Sequence, residues 1–182
     1  MKSSVTTYYK DRLIIGIDPG AAGGIGVYSI DKGRLVAAVK MPETPTDLLA
    51  FLKLHSLNSR CFLEKVGGIP GDAANAMFNF GRGYGHLEMA LLACRIPTET
   101  VTPQKWQKEF QLGVRGKMTK TEWKNKLKAK AQQLFPQFNV TLATCDAMLI
   151  ALYGSRQQSA LWNSFVRTPS ARATPSATTI HR

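Results

Sequence analysis

Apolar positions along this chain first fall into strand-length runs and later take up helical spacing. Leu13-Ile14-Ile15-Gly16-Ile17 is nearly continuous and stops at Asp18-Pro19-Gly20, which predicts a short buried strand. Gly24 to Ile30 predicts a second strand, Asp31-Lys32-Gly33 a turn, and Leu35 to Met41 a third strand, so the three form an antiparallel meander. Past Pro42 and Pro45 the period changes, and Leu48, Leu49, Phe51 and Leu52 predict a helix over Thr46–Leu57. Arg60 to Glu64 reads as a fourth strand. Asp72 can cap a helix that runs through Leu87, Leu91 and Leu92 to Arg95, interrupted by Gly81, Gly83 and Gly85. Thr98 to Val101 is a short fifth strand, and Pro103 opens a brief helix carrying Trp106 and Phe110. Thr119-x-x-Glu122 is a capping box. The helix it starts puts Trp123, Leu127, Ala131 and Leu134 on one face and Lys120, Lys124 and Lys128 on another, and Pro136 ends it. A last, apolar helix covers Leu142 to Tyr153. This order predicts an α/β domain over residues 13–162, with a mixed five-stranded sheet flanked by helices. Residues 1–12 read as a polar extension. Residues 163–182 are rich in Ser, Thr, Pro and Ala, hold three arginines and no acid, and read as a disordered basic tail.

Charge sharpens this picture. The 182 residues include 24 Lys and Arg against 12 Asp and Glu, a net charge of +12. From Lys105 to Lys130 there are nine basic residues and two acids, so the excess forms a patch. A basic patch points first to nucleic acid. Within it, the face formed by Lys120, Lys124 and Lys128 would contact phosphates without reading bases. Cys61, Cys94 and Cys145 cannot all pair and lack zinc spacing, which excludes a disulfide scaffold and a structural zinc site, and Cys61 and Cys145 in apolar runs read as buried, reduced thiols, so a reducing, cytoplasmic setting is expected. No apolar stretch approaches the ~20 residues of a membrane span, and no signal-peptide pattern opens the chain. Gly81-x-Gly83-x-Gly85 lacks the spacing and context of a nucleotide fingerprint; close helix packing and close approach to a DNA backbone are the two readings it leaves.

Three acids stand in apolar surroundings: Asp18 after the first strand, Glu64 at the end of the fourth, and Asp146 inside the last helix. Singly, each has an ordinary explanation: a turn residue, an ion pair with Lys65, and a structural cap or pair. Jointly they predict more. If the first and fourth strands are neighbours, Asp18 and Glu64 lie side by side, and a helix packed across them can bring Asp146 to the same point. Three carboxylates without basic partners repel, and a hard divalent cation relieves that repulsion. All-oxygen donors favour Mg²⁺ or Mn²⁺ over zinc. Beside a basic patch, that suggests phosphodiester chemistry.

The ordered set of motifs resembles a known family. Ile14-Ile15-Gly16-Ile17-Asp18-Pro19-Gly20 with Gly23-Gly24-Ile25-Gly26 is similar to the opening of RuvC-like Holliday junction resolvases, which have a ribonuclease H-like fold. Phe62-Leu63-Glu64 resembles their second acidic strand. Phe80 to Leu87, Ile96-Pro97, Val101-Thr102-Pro103 with Trp106, Leu134-Phe135-Pro136 and Cys145 to Ala151 resemble the phage and bacterial branch, over roughly residues 13 to 154. The resemblance implies a metal-dependent endonuclease that nicks four-way DNA junctions by water attack and works as a homodimer, in a bacterial cell or a phage-infected host. It puts Asp18, Glu64 and Asp146 at metal-ligand positions and Lys124 near the scissile phosphate, with two Mg²⁺ ions (or Mn²⁺) as cofactor. Arg82, His86, Lys105, Lys108, Arg115, Lys117, Lys120, Lys124 and Lys128 are the expected DNA contacts.

The chain departs from the family pattern in three places. The fourth acidic position is Ala143, and Asp72 is the one alternative ligand the sequence suggests. Val66-Gly67-Gly68-Ile69-Pro70 lacks the aromatic that opens junctions, which leaves Met77, Phe78 or Phe80 as the wedge. Gln107 replaces a lysine, with Lys108 following. Ala143 supports an alternative: a weakened enzyme that binds junctions without cutting. A nuclease of the same fold acting on structured RNA is a further reading. A sugar-kinase or actin-like ATPase would need a second phosphate loop and an adenosine motif, which the chain lacks, so no nucleotide cofactor is expected.

Overall fold

The computed structural model describes residues 11–67 and 73–167, the last nine by backbone alone. Five strands form one sheet: β1 (Leu13–Asp18), β2 (Gly24–Ser29), β3 (Arg34–Lys40), β4 (Ser59–Glu64) and β5 (Thr98–Val101). Their spatial order is β3-β2-β1-β4-β5. β1, β2 and β3 pair antiparallel, as the meander predicts, while β4 runs parallel to β1 and β5 parallel to β4. Helices α1 (Pro45–Leu54), α2 (Ala74–Ala93), α3 (Pro103–Lys108), α4 (Lys120–Leu134) and α5 (Cys145–Arg167) flank the sheet.

The period-two pattern of the strands splits the core into two layers. Ile15, Ile17, Cys61 and Leu63 pack with Leu52 of α1 and Leu87 and Leu91 of α2. Ile14, Phe62 and Val101 pack on the other side, with Trp123 and Leu127 of α4 and Met148 of α5. Continuing that second series puts Gly16 and Asp18 of β1, and Glu64 of β4, on the α5 side.

Glycine sets the height of α5 over the sheet. A Cβ on Gly16 would overlap the backbone nitrogen of Ala151 and the carbonyl oxygen of Ala147. Gly26, opposite Gly16 in the β1–β2 register, would meet that same carbonyl oxygen at 2.8 Å. Helix backbone therefore rests directly on strand backbone, and Asp146, one residue before Ala147, comes down at the end of β1.

Several boundaries differ from the pattern-based expectation. α1 stops at Leu54, where His55 caps it and Asn58 turns into β4 with a positive φ of 53°. The glycines of α2 do not interrupt it, and a Cβ on Gly81, Gly83 or Gly85 would meet nothing within 4 Å. Close packing among the described residues therefore does not explain them. Ala73 occupies the cap of α2 without a side-chain bond, and Asp72 lies outside the described residues. α5 begins at Cys145, not Leu142, because Thr141 and Thr144 hydrogen bond each other's backbone N–H in the preceding turn. It also runs on to Arg167, taking in the first residues of the stretch expected to be disordered; residues 168–182 lie outside the described residues. At the other end, residues 1–10 are likewise outside them. Asp11 and Arg12, assigned to the extension, are tied to the sheet by ion pairs with Lys32 and Asp31. Among the described residues no helix is long and apolar enough to cross a membrane.

Candidate active site

Asp18, Glu64 and Asp146 meet at the C-terminal ends of the parallel neighbours β1 and β4, under the first turn of α5. The β1–β4 register reaches Ile17 opposite Leu63, so Asp18 and Glu64 are the next residues along adjacent strands. Glu64 and Asp146 are buried, and the Asp18 side chain is 13% exposed. The expectation that these acids lack a basic partner is corrected. The Lys124 ammonium donates to Asp146 Oδ2 at 2.6 Å and to Asp18 Oδ2 at 3.0 Å. Lys124 is on α4, which packs on α5. The capping box at Thr119 starts that helix, and buried Trp123 and Leu127 fix its rotation, aiming Lys124 at the acids.

Glu64 pairs with the buried indole of Trp106, whose Nε1–H donates to Glu64 Oε1 at 2.8 Å, rather than with Lys65. Trp106 is core, as expected, but it also orients a carboxylate. Thr102 caps α3 and Pro103 opens it, so the Val101-Thr102-Pro103 turn is what delivers Trp106 to Glu64. The Cys145 thiol donates to Asp146 Oδ1 at 3.1 Å. Neither contact has a local sequence signal, since a buried Trp or Cys in an apolar run reads as packing.

The electrostatics follow from burial and crowding. Burial pushes the Glu64 carboxyl up to about 7, and neighbouring Asp18 adds to this while the Trp106 indole opposes it. Burial also raises Asp18, against the Lys124 ammonium and with help from Asp146. For Lys124 burial disfavours the charge, but the two carboxylates outweigh it and hold the ammonium well above the usual lysine range. Burial, and then Asp146, raise the Cys145 thiol, so it is an unreactive group at neutral pH.

A raised carboxyl pKa means that the folded state holds its proton more tightly than the unfolded chain. That contribution is full below pH 4.5 and is lost as pH rises to about 7; it is worth at most about 3 kcal/mol. Metal-free Glu64→Gln protein is therefore expected to melt several degrees above the parent at pH 8, with the gap closing at pH 4.5. Thermal unfolding in a chelator at the two pH values checks this; a gap independent of pH would contradict it.

By donor type the three carboxylates suit a hard divalent cation. As they stand, among the described residues no group of three His, Cys, Asp or Glu side chains is set to hold one. The Lys124 ammonium lies between two of the three. Ala143 supplies no fourth carboxylate; its carbonyl oxygen faces Gly24 of β2.

The remaining expected contacts make no bond to this cluster, and those of α2 belong to the helix that packs on the other layer of the sheet. Lys120 and Lys128 lie one turn to either side of Lys124 on α4, the first exposed and the second half-buried. Lys105 and Lys108 are exposed on α3, where Lys105 stands 3.6 Å from Glu99. Arg115 and Lys117 are exposed in the α3–α4 loop, Arg115 donating to the Met118 carbonyl. Arg82 and His86 are exposed one turn apart on α2. Of the wedge candidates, Phe80 packs toward Gly20 in the loop after Asp18, Met77 is 39% exposed and Phe78 is 68% exposed with the Arg82 guanidinium over its ring.

No protein-family model matches the chain, and no curated protein matches it in sequence. Solved structures do match in three dimensions. Thermus thermophilus RuvC in complex with a Holliday junction substrate superposes with a TM-score of 0.58 at 16% identity, covering 81% of this chain and 95% of that one. A second Thermus thermophilus RuvC structure gives a TM-score of 0.56 at 16% identity, over 81% and 96%. The chain is therefore built on the ribonuclease H-like fold of RuvC.

Proposed function

We propose that this protein is a metal-dependent endonuclease that nicks four-way branched DNA and acts as a homodimer. The observation that carries this reading is the buried Asp18–Glu64–Asp146 cluster, bonded to Lys124 from a helix face that continues in Lys120 and Lys128. The RuvC fold, one of whose structures is a Holliday junction complex, supports the choice of substrate.

Asp18, Glu64 and Asp146 would hold Mg²⁺, with Mn²⁺ as substitute; a second ion would need its remaining ligands from phosphate and water, because Ala143 offers none. A cation held there supplies the Lewis acidity that makes water nucleophilic toward phosphorus and steadies the leaving oxygen. Glu64 gives up its proton when it becomes a ligand, so cation affinity rises with pH. Lys124 places a positive charge beside the phosphate. Trp106 keeps Glu64 in place. Lys120 and Lys128 would hold the backbone of the cut strand, and the cations of α3 and the α3–α4 loop would extend that surface. Phe78, exposed and stacked with Arg82, is the aromatic suited to enter an open junction.

Competition binding at moderate salt tests the substrate. A four-way junction should bind at least tenfold tighter than duplex DNA or hairpin RNA of equal length. Lys120→Gln should weaken binding to every DNA alike and lower the salt slope by about one. Equal affinity for junction and duplex would remove the junction from the proposal, and preference for the hairpin would favour an RNA nuclease. Ala143 favours one second reading, a junction-binding protein without cleavage.

A further inference from the structure

We infer that Lys124 is the acidic cluster's own counter-cation, and that a divalent ion enters the site by displacing its ammonium from between Asp18 and Asp146. The inference rests on the metal-dependent reading above and adds a built-in competitor to it.

The ammonium uses one oxygen of each carboxylate, at 3.0 and 2.6 Å, and these carboxylates belong to different elements, β1 and α5. They are two of the three that an ion would take. The ammonium occupies Oδ2 of both carboxylates and the Cys145 thiol occupies Asp146 Oδ1, so a hard cation that takes these oxygens has to compete with Lys124 for them. The third carboxylate, Glu64, is not bonded to Lys124 but to Trp106, so it stays in place when Lys124 leaves. Lysine is suited to leaving: its charge sits on a flexible four-carbon stem, unlike the planar fork of arginine. The side chain keeps 26% of its exposure, which gives it an outward path. That path lies along the Lys120–Lys128 face, where a DNA phosphate would stand. Phosphate can then stabilise the displaced ammonium, and cation and DNA should each tighten the other's binding, a reciprocal linkage.

The test is Mn²⁺ binding without DNA, followed by the electron paramagnetic resonance of free Mn²⁺, for the parent and for Lys124→Met. The variant is expected to bind at least tenfold tighter, because nothing has to be displaced. Equal or weaker binding by a folded variant would overturn the inference while leaving the metal site standing. If neither protein binds Mn²⁺, the metal-dependent reading falls, and the inference with it. A measurement on the parent protein covers the case in which the variant fails to fold. Reductive methylation with peptide mapping should modify Lys124 at least threefold faster with saturating Mn²⁺ than in chelator, with Lys120 and Lys128 unchanged. Unchanged Lys124 reactivity in a sample that demonstrably binds Mn²⁺ would overturn the inference.

Discussion

Asp18→Asn protein is expected to fold, to bind a four-way junction about as tightly as the parent, and to nick it at least about 10²–10³-fold more slowly. Asparagine keeps the shape of the side chain and one oxygen for the Lys124 ammonium, so the geometry survives. What it removes is a negative charge that the site holds at a cost. Burial raises the Asp18 carboxyl pKa and Asp146 raises it further, which means the ionised form is disfavoured in the metal-free protein. Removing that charge should leave the melting temperature unchanged or raise it. Activity lost with stability kept or gained is the signature of a functional group maintained against the interest of the fold. Nicking rates at saturating DNA, together with thermal melts, check both halves. Undiminished nicking would take Asp18 out of the chemistry, and a melting point several degrees lower would make it a structural residue.

Gly16→Ala should be among the most destabilising single-methyl changes available in this chain. The added carbon would overlap the backbone of α5 at Ala147 and Ala151, and no side-chain rotation relieves a clash with backbone. To make room α5 must lift off β1, and with it move Met148, Leu149 and Ile150, all fully buried. We expect a loss of about 3 kcal/mol or more, at the upper end for overpacking, out of a total of roughly 5–15 kcal/mol for a domain of this size. Lifting α5 also carries Asp146 away from Asp18, so residual folded protein should lose nicking as well. Gly81→Ala is the matched control. Its Cβ meets nothing within 4 Å in mid-α2, and alanine there should be neutral or stabilising by up to about 1 kcal/mol. Urea unfolding of the two variants distinguishes them. Near-parent stability for Gly16→Ala would contradict the packing of α5 on β1.

How much of this was legible in the sequence depended on how local each signal was. The strands were plain, because β1 and β4 are short apolar runs ended by Asp18 and Glu64, but that the two are neighbours was only a condition in the sequence and is seen in the sheet order. The capping box at Thr119 and the proline at Pro103 marked two helix starts correctly. The glycines of α2 misled, because glycine lowers helix propensity by an amount that the contacts of Leu87 and Leu91 outweigh. The start of α5 was misplaced by three residues, because two threonines that bond each other look, in a sequence, like the first turn of a helix. For the site, the three carboxylates stood out by their apolar surroundings, and Lys124 by family resemblance. That Lys124 holds Asp18 and Asp146, and that Trp106 holds Glu64, had no local signal. These contacts span 106, 22 and 42 residues of chain, and only the packing of α4 and α3 creates them.

Nicking of a synthetic four-way DNA junction by the purified 182-residue protein, in Mg²⁺ and separately in Mn²⁺, decides between a junction nuclease and a junction binder. Paired nicks are expected in opposing strands of the junction, with none in a linear duplex of the same sequence and none with Asp18→Asn. Tight junction binding with no nicks in either metal would contradict the nuclease reading, and would identify the protein as a junction binder whose missing fourth carboxylate at Ala143 has ended its catalysis.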